Sequence, residues 1–180
     1  MKLIPSIAVL SISLLAAGTA KADMDYHGFN KETVDSLNER LAEPLTGEVL
    51  AVLSQHTDIE ACGGTKTVTM QTPDGWDERI ESANMPGGDV IMPVPTEALA
   101  PDYPALYNVL GVEGVCEVMF DVNEDGATEE IMTNCTLPQF AKATRAMIGP
   151  LEFTPGDGAD TPATDDIIIP VQYCLAPEEE

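Results

Sequence analysis

The sequence predicts an α+β fold: a three-stranded antiparallel sheet of strand order 2-1-3, packed with two short helices and preceded by a helical N-terminal segment. Three observations carry that prediction. Val115 to Val122 and Thr128 to Cys135 flank Asn123-Glu124-Asp125-Gly126, the turn chemistry of a β-hairpin in which glycine supplies a positive φ. A helical pattern from Gln139 to Ile148 separates the hairpin from a last apolar run, Ile167 to Leu175. A right-handed crossover returns that run parallel to the second strand, on the far side of the first. Pro170 then falls within the last strand, a position tolerated only at a sheet edge.

The N-terminus reads as an export signal. Lys2 is a short basic region, Leu3 to Ala17 an apolar run, and Ala20-Lys21-Ala22 the small-x-small pattern of a signal peptidase site. The run is about 15 residues, short of the ~20 that span a bilayer. Residues 1–22 are therefore expected to be a signal peptide cleaved after Ala22, which exports the protein to an oxidising compartment, with no membrane insertion after cleavage. No cysteine stands at the cleavage site to take a lipid.

Residues 23–72 form the helical N-terminal segment. Asn30 caps a helix carrying Val34, Leu37 and Leu41 at helical spacing, which Pro44 ends. Thr46 caps a second with Val49, Leu50, Val52 and Leu53, stopped by Cys62-Gly63-Gly64. Lys66 to Thr72 reads as a strand with Val68 and Met70 on one face, followed by the turn Pro73-Asp74-Gly75. Residues 73–100 are rich in proline and glycine and read as a connector. Within 101–176, Tyr103 to Leu110 has helical spacing and is closed by Gly111; the hairpin, the second helix and the last strand follow.

Composition narrows the function. The formal charge is −23, and it becomes −25 once Lys2 and Lys21 leave with the signal, because no acid leaves with them. Such a chain repels nucleic acid and anionic membranes, both of which select basic patches. Aromatic residues make up 5 % of the chain, so the core is expected to be mainly aliphatic. Cys62, Cys116, Cys135 and Cys174 are an even set in an exported chain, hence two disulfides with three possible pairings. There is no CxxC or Cys/His cluster to hold zinc, and no cofactor or metal is expected.

No catalytic constellation is visible. Asp121-x-Asn123-x-Asp125-Gly126 matches the first half of a calcium loop, but Met132 stands where the bidentate glutamate belongs and the flanks read as strands, which favours a hairpin turn. His27 and His56 are far apart and have neither a serine elbow nor metal-ligand spacing around them. Glu129-Glu130 and Asp165-Asp166 read as solvated surface charge rather than as acid/base pairs. Trp76 follows a turn, where it either anchors the connector in the core or marks a contact site.

From Pro101 to Leu175 the order of motifs resembles the C-terminal domain of TonB. The matching residues are Pro101-Asp102-Tyr103-Pro104, Gly111-Val112-Glu113-Gly114, the strand to Val122 and the turn through Gly126, then Phe140, Ala143, Met147, Ile148, Leu151, Phe153 and Pro155. Tyr103, Pro104, Gly114, Gly126, Phe140, Phe153 and Pro155 carry the family pattern; Leu151-Glu152 replaces its usual Trp-Arg pair. The resemblance implies a periplasmic, non-enzymatic module whose partner is a protein, an outer-membrane transporter or envelope complex, that adds an extended segment as a strand. The receiving edge would be the last strand: Ile167, Ile168, Ile169, Val171, Gln172 and Tyr173. Transducing energy would require an uncleaved N-terminal helix and a long spacer, neither of which is read here. The alternatives are a disulfide-stapled structural envelope protein whose edge is self-covered, and a TonB-type transducer if the N-terminal segment is kept.

Strand parity orders the cysteines. Cys116 shares a face with Val118, Phe120 and Val122, and Cys135 shares one with Ile131; the two cysteines lie nearly opposite across the hairpin. Cys174 is out of phase with Ile169, Val171 and Tyr173. The expected bonds are Cys116–Cys135 and Cys62–Cys174.

Overall fold

The computed structural model describes residues 24–175, so the signal peptide and its cleavage site lie outside the described residues. Helix α1, Lys31–Asn38, opens where the Asn30 side-chain oxygen accepts the Thr33 N–H at 3.0 Å. Helix α2, Gly47–Leu53, opens with Thr46 Oγ1 accepting the Val49 N–H at 3.3 Å. These caps satisfy amides that the first helical turn leaves without a carbonyl. Only one stripe of α2 packs: Leu50 and Leu53 are buried, while Val49 and Val52 stay exposed. Two 3-10 turns, Ser54–His56 and Glu60–Cys62, carry the chain on to Gly63, which reverses it at φ +86°.

The strand expected at Lys66 to Thr72 does not form. The segment is extended and keeps its alternation, with Val68 and Met70 half-buried between exposed threonines. Its sheet contact is a single bridge, the Gln71 N–H to the Cys135 carbonyl at 2.8 Å. Pairing stops there because Pro73 has no N–H and the chain turns away at Gly75, φ +81°.

The stretch 73–100 holds more structure than its composition suggests. Helix α3, Trp76–Ile80, lies within it, and strand β1, Val94–Pro95, closes it. Trp76 is buried against Met119 and Ile168. Helix α4, Ala105–Leu110, starts two residues later than expected because Pro104 stands at its cap; Tyr103 instead donates its hydroxyl to the Val112 carbonyl at 2.6 Å. Gly111 ends α4 at φ +67°.

Strands β2, Gly114–Val122, and β3, Thr128–Cys135, form the hairpin. In the turn, Asn123 Oδ1 accepts the N–H groups of Asp125 and Ala127, both at 3.0 Å. Gly126, at φ +85°, lies where an added Cβ would sit 2.2 Å from the Phe153 carbonyl oxygen. The acids of this loop thus belong to an Asx turn. Helix α5, Pro138–Ile148, follows with proline in its first turn, then strand β4, Phe153–Thr154, which pairs with β1. Strand β5, Thr164–Tyr173, ends the fold, starting three residues earlier than expected and stopping two earlier.

The main sheet is β3-β2-β5 with both pairings antiparallel, which is the order 2-1-3. Register slips on both sides of β2 at the same level, between Met119 and Asp121 against β3 and between Phe120 and Val122 against β5. Each outer strand bulges there through a residue at positive φ, Glu130 at 46° and Asp166 at 50°. Arg79 of α3 clamps both bulges. Its Nε reaches the Asp166 carboxylate at 2.5 Å, its guanidinium also meets Asp121, and it donates to the Glu130 carbonyl at 2.8 Å.

The principal core lies on the α5 side of the sheet and draws in Val34, Leu45, Leu50 and Leu53 from the N-terminal helices. It is mainly aliphatic by count but aromatic at its centre. Phe140 stacks on Tyr173 at 4.4 Å and meets Tyr107 at 4.9 Å and Tyr103 at 5.9 Å. Cys116 bonds to Cys135 with Cα atoms 4.1 Å apart, and Cys62 bonds to Cys174 at 5.3 Å.

Candidate functional site

The feature with most capacity for recognition is the outer edge of β5. Its hydrogen-bonding parity follows from one neighbour. The Asn84 N–H donates to the Asp166 carbonyl at 2.7 Å, and the Ile168 N–H donates to the Asn84 carbonyl at 2.9 Å. The Asp166 carbonyl and, from Ile168 onward, the backbone groups of even-numbered residues therefore point away from β2, while those of odd-numbered residues pair with it; the Asp166 N–H itself turns in to the Asp121 carboxylate at 2.8 Å. Asn84 Nδ2 adds a bond to the Asp165 carbonyl at 2.9 Å, so the first part of the edge is capped from within the chain.

Beyond Asn84 the edge is open. The carbonyls of Ile168, Pro170 and Gln172 and the N–H of Gln172 face outward, and none has a hydrogen-bond partner among the described residues. Pro170 sits at an outward position, where its missing N–H costs the internal ladder nothing. The open stretch from Ile168 to Gln172 spans ~16 Å at 3.3 Å per residue. One end is stopped by Asn84, and the other by the disulfide that ties Cys174 to the turn at Cys62.

Side chains fix this strand and leave its backbone to act. Ile167, Val171 and Tyr173 are buried and Ile169 half-buried on the core face, whereas Ile168 is buried on the opposite face beneath Trp76. Gln172 is exposed. The residues of the sequence pattern are mostly packing elements: Pro104 caps α4, Gly114 lies against the Phe140 ring, Gly126 against Phe153, and Tyr103 reaches across to Val112. Phe140 and Phe153 are buried and Pro155 is exposed just after β4.

Three residues whose structural role sequence reasoning missed hold the edge in place. Glu113, nearly buried, accepts the Ile59 N–H at 3.3 Å and the Leu175 N–H at 3.2 Å, joining the N-terminal segment to the end of β5. Its one signal was a carboxylate inside the run Val112 to Val115. Arg79 was the lone cation of the connector. Asn84 gave no signal at all, since its role depends on where the chain passes.

Electrostatics follow burial and pairing. Burial pushes the Tyr103 phenol up to about 12, with the Glu113 charge adding to it. Burial lowers His56 and raises Tyr173. Burial alone would raise Asp166, but the Ser82 hydroxyl and Arg79 outweigh it and hold the carboxyl below its ordinary value. Among the described residues no group of His, Cys, Asp or Glu is arranged to hold a metal ion, and no helix is long and apolar enough to cross a membrane.

No protein-family model matches the chain, and no curated protein matches it in sequence. Among solved structures, it is similar over about half its length to two TonB structures. One is the C-terminal domain of Pseudomonas aeruginosa TonB, at 19 % identity and TM-score 0.41, covering 54 % of this chain and 96 % of that one. The other is the TonB2 protein of Vibrio anguillarum, at 21 % identity and TM-score 0.37, covering 50 % and 88 %.

Proposed function

We propose that the protein is an exported, periplasmic, non-catalytic binding module that takes an extended segment of an envelope or outer-membrane transporter protein as an added strand on β5. The observation carrying this reading is the unpaired stretch from Ile168 to Gln172, three outward carbonyls and one outward N–H on a strand whose side chains are locked into two cores. Main-chain hydrogen bonds give such a site its affinity, and the exposed side chains beside it give selectivity. The module does not itself transduce energy, which agrees with the expected loss of its N-terminal segment on export.

The test is a titration of the oxidised protein, residues 23–180, with synthetic peptides copying the extended N-terminal segments of outer-membrane transporters, followed by amide exchange. Binding should protect the Gln172 N–H. Binding without protection there, or no binding by any peptide of the set, removes this reading. One observation favours a second: Asn84 already occupies the first part of the edge, as a self-covered structural protein would require. In that case every amide of β5 exchanges alike with and without peptide.

A further inference from the structure

The β3 edge of the sheet, far from β5 and on the α5 side, carries a groove of about 410 Å³, lined by Gln71, Thr133, Leu137, Ala141, Lys142 and Arg145 together with Cys135 and Pro138. Its size is that of a small-ligand site. Pro138, Ala141, Lys142 and Arg145 recur at helical spacing and form one stripe of α5, facing β3 across the groove. Thr133 lies directly opposite Val118 in the β2–β3 register. By the parity that turns the Cys135 carbonyl outward to Gln71, Thr133 also directs its backbone N–H away from β2.

Two independent observations give this groove a chemistry. The first is charge. In a chain with 31 acidic and 8 basic residues, Lys142 and Arg145 stand side by side on one helix face, and neither makes an ion pair among the described residues. Lys31 and Arg79, by contrast, are held by carboxylates. The second is an orphan. Thr133 is 4 % exposed, and its Oγ1 is sealed from solvent with no hydrogen-bond partner. Leaving a buried hydroxyl without a partner forfeits its hydration with nothing in return, so such a group marks a missing acceptor or donor. The groove therefore sets an ammonium and a guanidinium beside the Gln71 amide and the outward backbone N–H and carbonyl of Thr133, with the Thr133 hydroxyl buried beneath them.

We infer that the groove between α5 and β3 is a binding site for a carboxylate-bearing ligand, paired with Lys142 and Arg145 and hydrogen-bonded through Thr133. Guanidinium matches a carboxylate with two parallel bonds, and ammonium adds a point charge. The carboxylate comes either from a free organic acid or from a peptide C-terminus. The site is distinct from the β5 edge, so either can fail without the other.

The experiment is a chemical-shift titration of the oxidised protein, residues 23–180, at low salt and at 150 mM NaCl. One arm uses succinate, the other a tetrapeptide Gly-Ser-Ala-Leu as free acid and as C-terminal amide. The inference requires saturable shifts at Gln71, Thr133, Ala141, Lys142 and Arg145, weaker at the higher salt. K142Q/R145Q, which alters exposed side chains only, should weaken binding tenfold or more, and Thr133→Val about threefold. Saturation by succinate assigns a free acid; preference for the acid peptide over its amide assigns a peptide terminus. No saturable shift with any probe, or equal binding by wild type and K142Q/R145Q, overturns the inference.

Discussion

Restoring the amide that Pro170 removes from β5 is the sharpest perturbation of the proposed docking edge. In the native strand the outward positions from Ile168 to Gln172 offer three carbonyls but a single free N–H, because the Ile168 N–H is held by Asn84 and Pro170 has none. Pro170 is exposed and pairs with Glu117 across β2 without contributing a ladder bond. Pro170→Ala therefore changes no internal hydrogen bond and adds one outward donor. A net hydrogen bond contributes about 1 kcal/mol, which corresponds to a roughly fivefold gain in affinity for an added strand. The converse variant, Gln172→Pro, removes the remaining donor and should weaken binding by a similar factor. The assay is a peptide titration by calorimetry, with exchange of the residue-170 amide as a second readout: fast in the free variant and protected in the complex. If P170A and Q172P both leave affinity unchanged while the peptide still binds, the peptide does not use this backbone, and strand addition on β5 is wrong. P170A should also raise the tendency to self-associate, since a proline on an edge blocks pairing between copies.

Three other outcomes are expected. The Cys62–Cys174 bond closes a separation of 112 residues and the Cys116–Cys135 bond one of 19; the chain-entropy relation gives about 4.8 and about 3.3 kcal/mol. C62A/C174A should thus lower stability to denaturant more than C116A/C135A, and the reverse order would refute the entropic account. Glu113→Leu leaves the amides of Ile59 and Leu175 without an acceptor, and it should cost about 2–4 kcal/mol in urea unfolding; a loss under 1 kcal/mol would mean that water replaces the carboxylate. Finally, Asp166 is held below its ordinary value in the folded chain. Its contribution is present above the unfolded carboxylate range near pH 4 and is lost as pH falls through the lower folded value. Arg79→Met should flatten that acid limb of the pH–stability curve, and an unchanged limb would count against the pairing.

The elements set by local chemistry were legible in the sequence. Asn30 and Thr46 cap helices, Gly126 turns the hairpin, and Pro170 lies on an edge, because in each case one residue's covalent structure decides the outcome. Parity also placed Cys116 and Cys135 on facing inward positions of adjacent strands, which the register pairs directly. What sequence reading lost were the features that depend on how distant pieces meet. Lys66 to Thr72 has the alternation of a strand, yet alternation reports a half-buried extended chain and cannot report whether a neighbour's hydrogen bonds are within reach. The order within 73–100 was hidden for a related reason. Trp76, Arg79 and Asn84 each contact β5 or the bulges beside it, some 80 residues further along, and no local periodicity encodes such contacts. The aromatic centre was missed because a percentage says nothing about clustering: Phe140 alone meets three other rings.

The candidate edge was only half legible, and the missing half changes its meaning. A sequence can mark β5 as an edge, but an edge that invites any strand is an aggregation hazard. This chain limits it at three points. Asn84 closes the end next to the bulge, Pro170 removes a donor from the middle, and the disulfide at Cys174 ties down the far end. Between those limits remain three acceptors and one donor, an unbalanced set that a second copy of the same edge cannot satisfy, since it would again bring mostly acceptors. On the strand-addition proposal, a guest segment would supply at least three N–H groups in alternation and so could carry no proline at those positions. Self-pairing is disfavoured by the same arithmetic that favours a donor-rich foreign strand, and the strong negative charge of the chain adds repulsion between copies. An edge serving only as structure would gain most from complete coverage. One stopped at both ends and left open between them is better matched to a short, selected guest.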